Sequence, residues 1–128
     1  MNREAGAILS QLTGGKYDAI TFTRQFEALA QTDAGPKSAR LLSQGAADQA
    51  YLALRLALCR LALPDGETAP LVLDDALVCF DDARLGLALE VLLAFARDRQ
   101  LLLFTCQGRE RAALAISGRN RYNICNIS

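Results

Sequence analysis

The 128-residue chain contains no histidine, and its 14 basic and 14 acidic residues cancel. The absence of histidine weakens any interpretation of the chain as a zinc protein. The cysteines form no C-x-x-C pair, and we interpret them as buried, reduced thiols of a reducing cytoplasm. They are Cys59, Cys79, Cys106 and Cys125. A net charge of zero provides no overall attraction for nucleic acid, so any DNA contact has to be local or lie in another part of a larger protein.

The sequence also has no recognisable targeting or membrane segment. The first residues, Met1 to Glu4, lack the apolar core of a signal peptide. The most apolar segment, 50–63, carries Arg55 and Arg60 and is too short to cross a bilayer. Hydrophobic residues make up 52% of the chain and charged residues 22%, which is typical of a globular protein. We therefore expect one cytoplasmic domain over residues 1–128, large enough to bury its own core.

Hydrophobic periodicity predicts helices alternating with short strands. The predicted helices are 4–12, 45–63, 83–98 and 109–116. The predicted strands are 17–23, 26–30, 71–73, 100–104 and 122–127. Thr13, Gly14 and Gly15 should stop the first helix, because glycines supply positive φ. Turns or loops are predicted at 32–36 and 64–70.

The order strand, helix, strand over 71–104 predicts a right-handed crossover and therefore parallel pairing. Both strands are apolar without alternation, which is typical of a sheet covered on both faces. The fold class we expect is α/β. Its sheet should be mainly parallel and flanked by helices, with an N-terminal helix and a β-hairpin.

Adjacent carboxylates follow the strand at 71–73. Asp74 and Asp75 end the apolar run, and a second pair, Asp81 and Asp82, begins six residues after Asp75. Open α/β sheets place their chemistry at the carboxyl ends of strands. One carboxylate there can hold Mg²⁺ while its neighbour orients a water molecule. An ordinary acidic loop and a two-metal phosphoesterase site formed by all four residues remain as alternatives.

A second motif, Leu42-Ser43-Gln44-Gly45, precedes the long helix. Ser43 is a favourable helix cap, and Gly45 allows a backbone to approach a ligand closely. A capped helix amino terminus with free N–H groups can bind phosphate. A plain helix cap is the other interpretation.

Taken in order, these motifs resemble ATP-binding cassettes, and in particular the SMC-like ATPases of chromosome maintenance and DNA repair. Leu42-Ser43-Gln44-Gly45 is similar to the cassette signature, and the helix from Asp48 onward is similar to the one that follows it. Leu71 to Asp75 resembles Walker B, and Phe80-Asp81 resembles the D-loop. Residues 101–107 resemble the strand leading into the switch, or H-loop. Residues 12–17 resemble the re-entry of a coiled coil into the head.

The resemblance implies a P-loop NTPase-like fold, with ATP and Mg²⁺ as cofactors. By its motifs, Asp74 would hold the Mg²⁺ shell and Asp75 would polarise the attacking water. Gln107 would take the position of the switch residue that touches the γ-phosphate. The remaining assignments concern a head-to-head dimer: Ser43, Gln44 and Gly45 would contact nucleotide bound to a second subunit, and Asp81 would lie at the dimer seam.

Three residues depart from the family pattern. Asp75 stands where Glu is usual, Ala76 replaces a common Pro, and Gln107 replaces His. The shorter carboxylate reaches less far, and a glutamine amide donates a hydrogen bond but carries no charge. We expect weakened or altered hydrolysis.

No segment matches the G-x-x-x-x-G-K-[ST] phosphate loop, and Gly14-Gly15-Lys16 is interpreted as a turn. We therefore expect the C-terminal lobe of a head, inactive alone. Its partners would be a Walker A lobe, from a missing upstream segment or a separate chain, and a second copy in a homodimer. In this division, 1–16 ends a coiled coil or helix, 17–41 is the hairpin and loop, and 42–128 carries the motifs. The alternative is a non-catalytic, nucleotide-dependent interaction module.

Four arginines near the carboxyl end form a local basic excess, and either DNA contact or a solvated face would explain them. They are Arg109, Arg111, Arg119 and Arg121. We favour the solvated face, because aromatic residues for base stacking are almost absent from this region.

Overall fold

A computed structural model describes residues 1–25, 27–63, 69–117 and 122–127. Its helices are α1 (Asn2–Leu12), α2 (Gln44–Ala62), α3 (Asp82–Phe95) and α4 (Gly108–Ser117), with a short 3-10 turn at Ala39–Leu41. Its strands are β1 (Ile20–Phe22), β2 (Ala28–Thr32), β3 (Gly35–Ser38), β4 (Leu71–Asp74) and β5 (Leu101–Phe104). The predicted helices are all present, with ends shifted by a few residues.

The amino-terminal half contains a three-stranded antiparallel sheet in the order β1-β2-β3. The predicted hairpin of β1 and β2 is confirmed, with Ile20 opposite Ala30 and Phe22 opposite Ala28. The third strand was missed, because its Gly35 and Pro36 indicate a turn. Pro36 is accommodated because β3 is an edge strand, where a missing N–H costs no ladder bond.

The second sheet consists of β4 and β5, which pair in parallel as predicted, with Leu73 opposite Leu103. The expectation of a mainly parallel sheet holds only in part for the described residues, where the parallel sheet has two strands and the antiparallel one has three. The expectation that both faces of the parallel sheet are covered is wrong within this chain. Leu71 and Leu73 are buried, whereas Val72 and Leu102 on the other face are exposed.

The core lies around α1, which packs on α2, α3 and β1. Gly14 and Gly15 follow this helix with φ of 61° and 84°, which confirms their predicted role in stopping it. Gln49, a polar residue of α2, is only 2% exposed. Its side-chain Nε2 donates to the carbonyl of Leu12, which has no intrahelical partner at the end of α1. The polar group is buried because it satisfies this carbonyl.

Two further expectations are corrected. Residues 122–127 belong to neither sheet, so the predicted final strand is not formed. All four cysteines are free thiols, but Cys79, Cys106 and Cys125 are exposed and Cys59 is half-buried, in contrast to the predicted burial. The predicted loop residues 64–68, Phe26, Arg119 and Arg121 lie outside the described residues. Within the described part of the chain, none of the helices is long and apolar enough to cross a membrane.

Candidate functional site

Two parallel strands end at the same edge of their sheet and place Asp74, Asp75 and Gln107 there. Asp74 is the last residue of β4, and it lies opposite Phe104, the last residue of β5. The backbone N–H of Asp75 donates to the Phe104 carbonyl at 2.9 Å, which extends the pairing by one residue. Both aspartates are exposed. The sheet thus brings Asp74 and Asp75 beside the end of β5, three residues before Gln107.

Asp75 has a left-handed backbone, with φ of 48°. Aspartate tolerates this region better than most residues, but the conformation still costs free energy. The chain therefore changes direction at Asp75, immediately after Asp74 and the end of β4. The thiol of Cys106 lies 3.9 Å from Asp75 Oδ1, so a weak donor from the β5 side reaches this carboxylate.

The motif at residues 42–45 begins α2. Ser43 is the helix cap, and its Oγ accepts from the N–H of Ala46 at 3.3 Å. The Nε2 of Gln44 donates to Asp48 Oδ1 at 3.0 Å, one turn later. Ser43 and Gln44 are exposed, whereas Gly45 is buried. The polar side chains of this motif are thus available to a ligand from outside the chain.

Asp81 and Arg84 connect this motif to the start of α3. Asp81 caps α3, accepting from the N–H of Arg84 at 2.8 Å, and its other oxygen pairs with Arg84 Nη1 at 2.8 Å. The same Nη1 would stand 2.9 Å from a Cβ added to Gly45. A side chain at position 45 would therefore displace the Arg84 guanidinium, a contact that the sequence pattern did not indicate.

Arg109, interpreted from the sequence as a solvated residue, is instead a connecting residue. Its Nε donates to Gln107 Oε1 at 2.8 Å. Its other nitrogens donate to backbone carbonyls of the loop after β4, those of Leu77, Val78 and Phe80. The position at the start of a helix, two residues after Gln107, was the one signal in the sequence that could have indicated this role.

A cavity of about 300 Å³ separates α2 from the loop after β4. It is lined by Gln44, Asp48, Tyr51, Leu52, Arg55, Asp75, Ala76, Val78 and Cys79. The pKa of the Cys79 thiol is raised by partial desolvation and by the neighbouring Asp48 carboxylate, while Arg109 acts in the opposite direction. Gln44 of the 42–45 motif and Asp75 at the end of β4 thus line the same cavity.

The acidic residues do not form a multi-carboxylate metal site. Among the described residues, no group of three or more histidine, cysteine or acidic side chains is placed to hold a metal ion. Asp81 is engaged with Arg84 instead, and Asp82 lies 3.8 Å from Arg109. The two-metal alternative therefore has no support in the geometry, and Asp74 stands as a single exposed carboxylate.

The chain has the fold of SMC ATPase head domains. A structure from work on ATP-driven dimerisation and DNA-stimulated activation of SMC ATPases superposes with a TM-score of 0.70 at 16% identity, covering 88% of this chain and 70% of that one. The Pyrococcus furiosus Smc head with an extended coiled coil, bound to the C-terminal domain of ScpA, gives 0.67 at 15% identity, covering 88% of this chain and 29% of that one. The Thermotoga maritima SMC head gives 0.63 at 18% identity, covering 88% and 39%. Identity this low establishes the fold alone.

In sequence, the chain is similar to the uncharacterized protein YhaN of Bacillus subtilis (strain 168), with 38% identity over 106 residues. The match covers 80% of this chain and 11% of YhaN, so the chain spans about a tenth of that relative. No protein-family model matches the chain. The comparisons therefore give this chain the fold of SMC head domains, in keeping with the resemblance that its motifs suggested.

Proposed function

We propose that the chain is the carboxyl-terminal lobe of an SMC-like ATPase head, which binds and hydrolyses ATP only when a second lobe supplies the phosphate loop. One observation supports the proposal: β4 and β5 end side by side, with Asp74 and Asp75 at the end of β4 and Gln107 three residues beyond the end of β5. We keep the division of the chain suggested by its motifs. Residues 1–16 end a coiled coil or helix, 17–41 form the hairpin and loop, and 42–128 carry the ATPase motifs.

Asp74 is proposed to hold Mg²⁺. A single exposed carboxylate suits this ion, which keeps several waters and takes one or two carboxylates together with the phosphates of a nucleotide. When bound, the ion would neutralise charge that develops on the transferred phosphoryl group. Asp74 needs no further protein ligand for this role, in keeping with the lack of an acidic cluster around it in the described residues.

Asp75 and Gln107 are proposed to act on the reacting groups. The exposed Asp75 carboxylate, which follows the end of β4, is proposed to accept a proton from the attacking water. The amide Nε2 of Gln107 can donate to a γ-phosphate oxygen without adding charge. Because aspartate reaches less far than glutamate and the amide is neutral, we expect slow turnover.

Ser43, Gln44 and Gly45 are proposed to serve the nucleotide of a second copy of the head. Ser43 and Gln44 are exposed at the amino end of α2, where the helix dipole favours an anion. Gly45 is covered by Arg84, which pairs with Asp81. Its proposed contribution is thus to let a cationic side chain lie beside the signature, and Asp81 is proposed to lie at the seam of the dimer.

The exposed face of the small parallel sheet is proposed to receive the Walker A lobe. Val72, Leu102 and Phe104 expose 45%, 37% and 42% of their surfaces on this face. Three neighbouring apolar side chains on one sheet face are typical of an interaction site. Because Gly14 and Gly15 form a turn and not a phosphate loop, this lobe would come from another segment of the same polypeptide or from a separate chain.

A non-catalytic module that dimerises on nucleotide is the second candidate, and the substitutions at Asp75 and Gln107 favour it. The cellular setting we propose is DNA repair or chromosome maintenance. DNA is proposed as a ligand of the complete assembly and not of this chain. The chain has no net charge, and the Arg109 side chain is already bonded to backbone carbonyls of the loop after β4.

Two measurements test the proposal. Equilibrium dialysis of the isolated chain with ATP and Mg²⁺ should give no binding, and tight binding would contradict the need for a second lobe. Turnover is then measured in a chimera in which this chain replaces the matching segment of the Bacillus subtilis relative. Asp74→Asn should abolish turnover, whereas Asp98→Asn, in the loop between α3 and β5, should not. Nucleotide-driven dimerisation without any turnover would favour the non-catalytic module.

A further inference from the structure

Arg109 lies outside the motifs described above, yet its side chain donates hydrogen bonds from all three of its nitrogen atoms. Its guanidinium is planar and carries five N–H donors in a fixed arrangement. One donor, on Nε, goes to Gln107 Oε1 at 2.8 Å. Nη2 donates to the carbonyls of Leu77 at 2.9 Å and Val78 at 3.0 Å, and Nη1 donates to the carbonyl of Phe80.

The carbonyls that accept from Arg109 belong to a loop whose residues lie in no helix or strand. Residues 75–80 form turns between β4 and α3, so their carbonyls receive few ladder or helix bonds. Within this loop, the side chains of Leu77 and Phe80 are buried, with 1% and 2% exposure. The loop is thus anchored to the core and, in turn, anchors the guanidinium. Asp82, at 3.8 Å and 97% exposed, adds little to this arrangement.

The bond from Nε determines which way the Gln107 amide faces. Arginine only donates, so it can be met by the amide oxygen and not by the amide nitrogen. The Oε1 atom is therefore held toward Arg109, and Nε2, with its two donors, is the end left for another acceptor. In the reversed orientation, the oxygen would face that acceptor and repel a phosphate.

We propose that Arg109 is a positioning residue that holds the Gln107 amide with its N–H donors outward and ties it to the loop leading into Asp81. The functional consequence rests on the proposed function, in which Gln107 donates to a γ-phosphate. Arg109 also places a positive charge beside a switch residue that is itself neutral. A lysine cannot replace it, because one ammonium cannot reach Gln107 and three carbonyls together.

The first test uses the isolated chain and needs no nucleotide. In ¹⁵N-labelled protein, the side-chain NH₂ signals of Gln107 are identified by their loss in Gln107→Glu. We expect them to be shifted and rigid in the wild type, and to become mobile, like those of exposed Gln11, in Arg109→Lys. Arg111→Lys, on the exposed side of the same helix, is the matched control and should change nothing. Unchanged Gln107 signals in Arg109→Lys would overturn the proposal.

If Arg109→Lys fails to fold, a measurement on the wild-type protein tests the proposal instead. The Nε–H of Arg109 should exchange with water much more slowly than that of exposed Arg111, because it is held in a hydrogen bond. Equal exchange rates would overturn the proposal without any variant.

The second test uses the assembled ATPase. Arg109→Lys should lower kcat roughly tenfold with little change in KM, since misplacing a group at the reacting centre slows the chemical step. In a Gln107→Ala background the same substitution should cost much less, because the amide it orients is gone. Equal losses in both backgrounds would overturn the positioning role. Absence of turnover in every assembly would instead count against the proposed function, and the NMR result would stand by itself.

Discussion

The guanidinium of Arg84 lies against Gly45, so that a Cβ at position 45 would stand 2.9 Å from Arg84 Nη1 and 3.3 Å from Cζ. The same guanidinium pairs with Asp81 at the start of α3. The amino ends of α2 and α3 are therefore connected through one side chain, and the glycine is what gives that side chain room. This relationship joins two motifs that the sequence presents as separate.

Substitution of Gly45 tests this connection. Gly45→Ala should improve helix propensity by up to about 1 kcal/mol, but it should also displace Arg84 from its position. In an Arg84→Ala background the displacement is absent, so Gly45→Ala should stabilise the chain more there than in the wild type. We expect a coupling of roughly 0.5–1 kcal/mol in urea unfolding. An equal effect of Gly45→Ala in both backgrounds would contradict the contact.

Asp75 is expected to tolerate some substitutions and not others, because of its left-handed backbone. Asp75→Asn should leave stability almost unchanged, since asparagine also adopts this region readily. Asp75→Val should lower the free energy of unfolding by about 1–2 kcal/mol, because a β-branched side chain clashes there. The two variants are similar in size and both uncharged, so they form a matched pair. Identical urea midpoints for Asn and Val would show that position 75 is not held at positive φ.

Much of the fold is predictable from local patterns. The period of Leu85, Leu89 and Leu92 indicates α3, and the apolar runs on either side of it indicate β4 and β5. Their parallel pairing follows from the handedness of a strand-helix-strand connection. Elements of this kind depend on residues close together in sequence, so they are recoverable without a structure.

The features that sequence reasoning missed depend on contacts between distant residues. Gln49 is a polar residue of α2, yet it is buried because its amide donates to the Leu12 carbonyl, 37 residues earlier in the sequence. Arg109 reads as a surface charge, yet its partners lie 29 to 32 residues earlier. A composition pattern contains no information about which carbonyl lacks a partner. The motif residues of the candidate site therefore stay predictions from the sequence, and the sequence did not indicate the arginines that contact them.

Cys79 should react slowly with alkylating reagents, because its pKa is raised and less of it is thiolate at a given pH. Asp48→Asn removes one cause of the shift while keeping an oxygen that accepts from Gln44. At mildly alkaline pH, the alkylation rate of Cys79 in this variant should rise roughly two- to tenfold, since one pKa unit changes the thiolate fraction tenfold. The rate is measured by peptide mass spectrometry, with exposed Cys125 as the internal control. An unchanged rate at Cys79 would contradict the influence of Asp48.

The exposed sheet face should make the isolated chain associate with itself. Phe104 and Leu102 on β5 and Val72 on β4 present neighbouring apolar surface, and burying it in a self-contact is favourable at roughly 25 cal/mol per Å². Sedimentation velocity should show association that increases with protein concentration. Phe104→Ser should shift the chain toward monomer, because the substitution removes the aromatic side chain of this face. Ile116→Ser, which changes an 83% exposed residue on α4, is the matched control and should leave association unchanged. A wild-type chain that stays monomeric, or an equal effect of the two substitutions, would show that this face has no special tendency to bind. In the assembled head, Phe104→Ser should also weaken binding of the Walker A lobe, which would link the two observations to one surface.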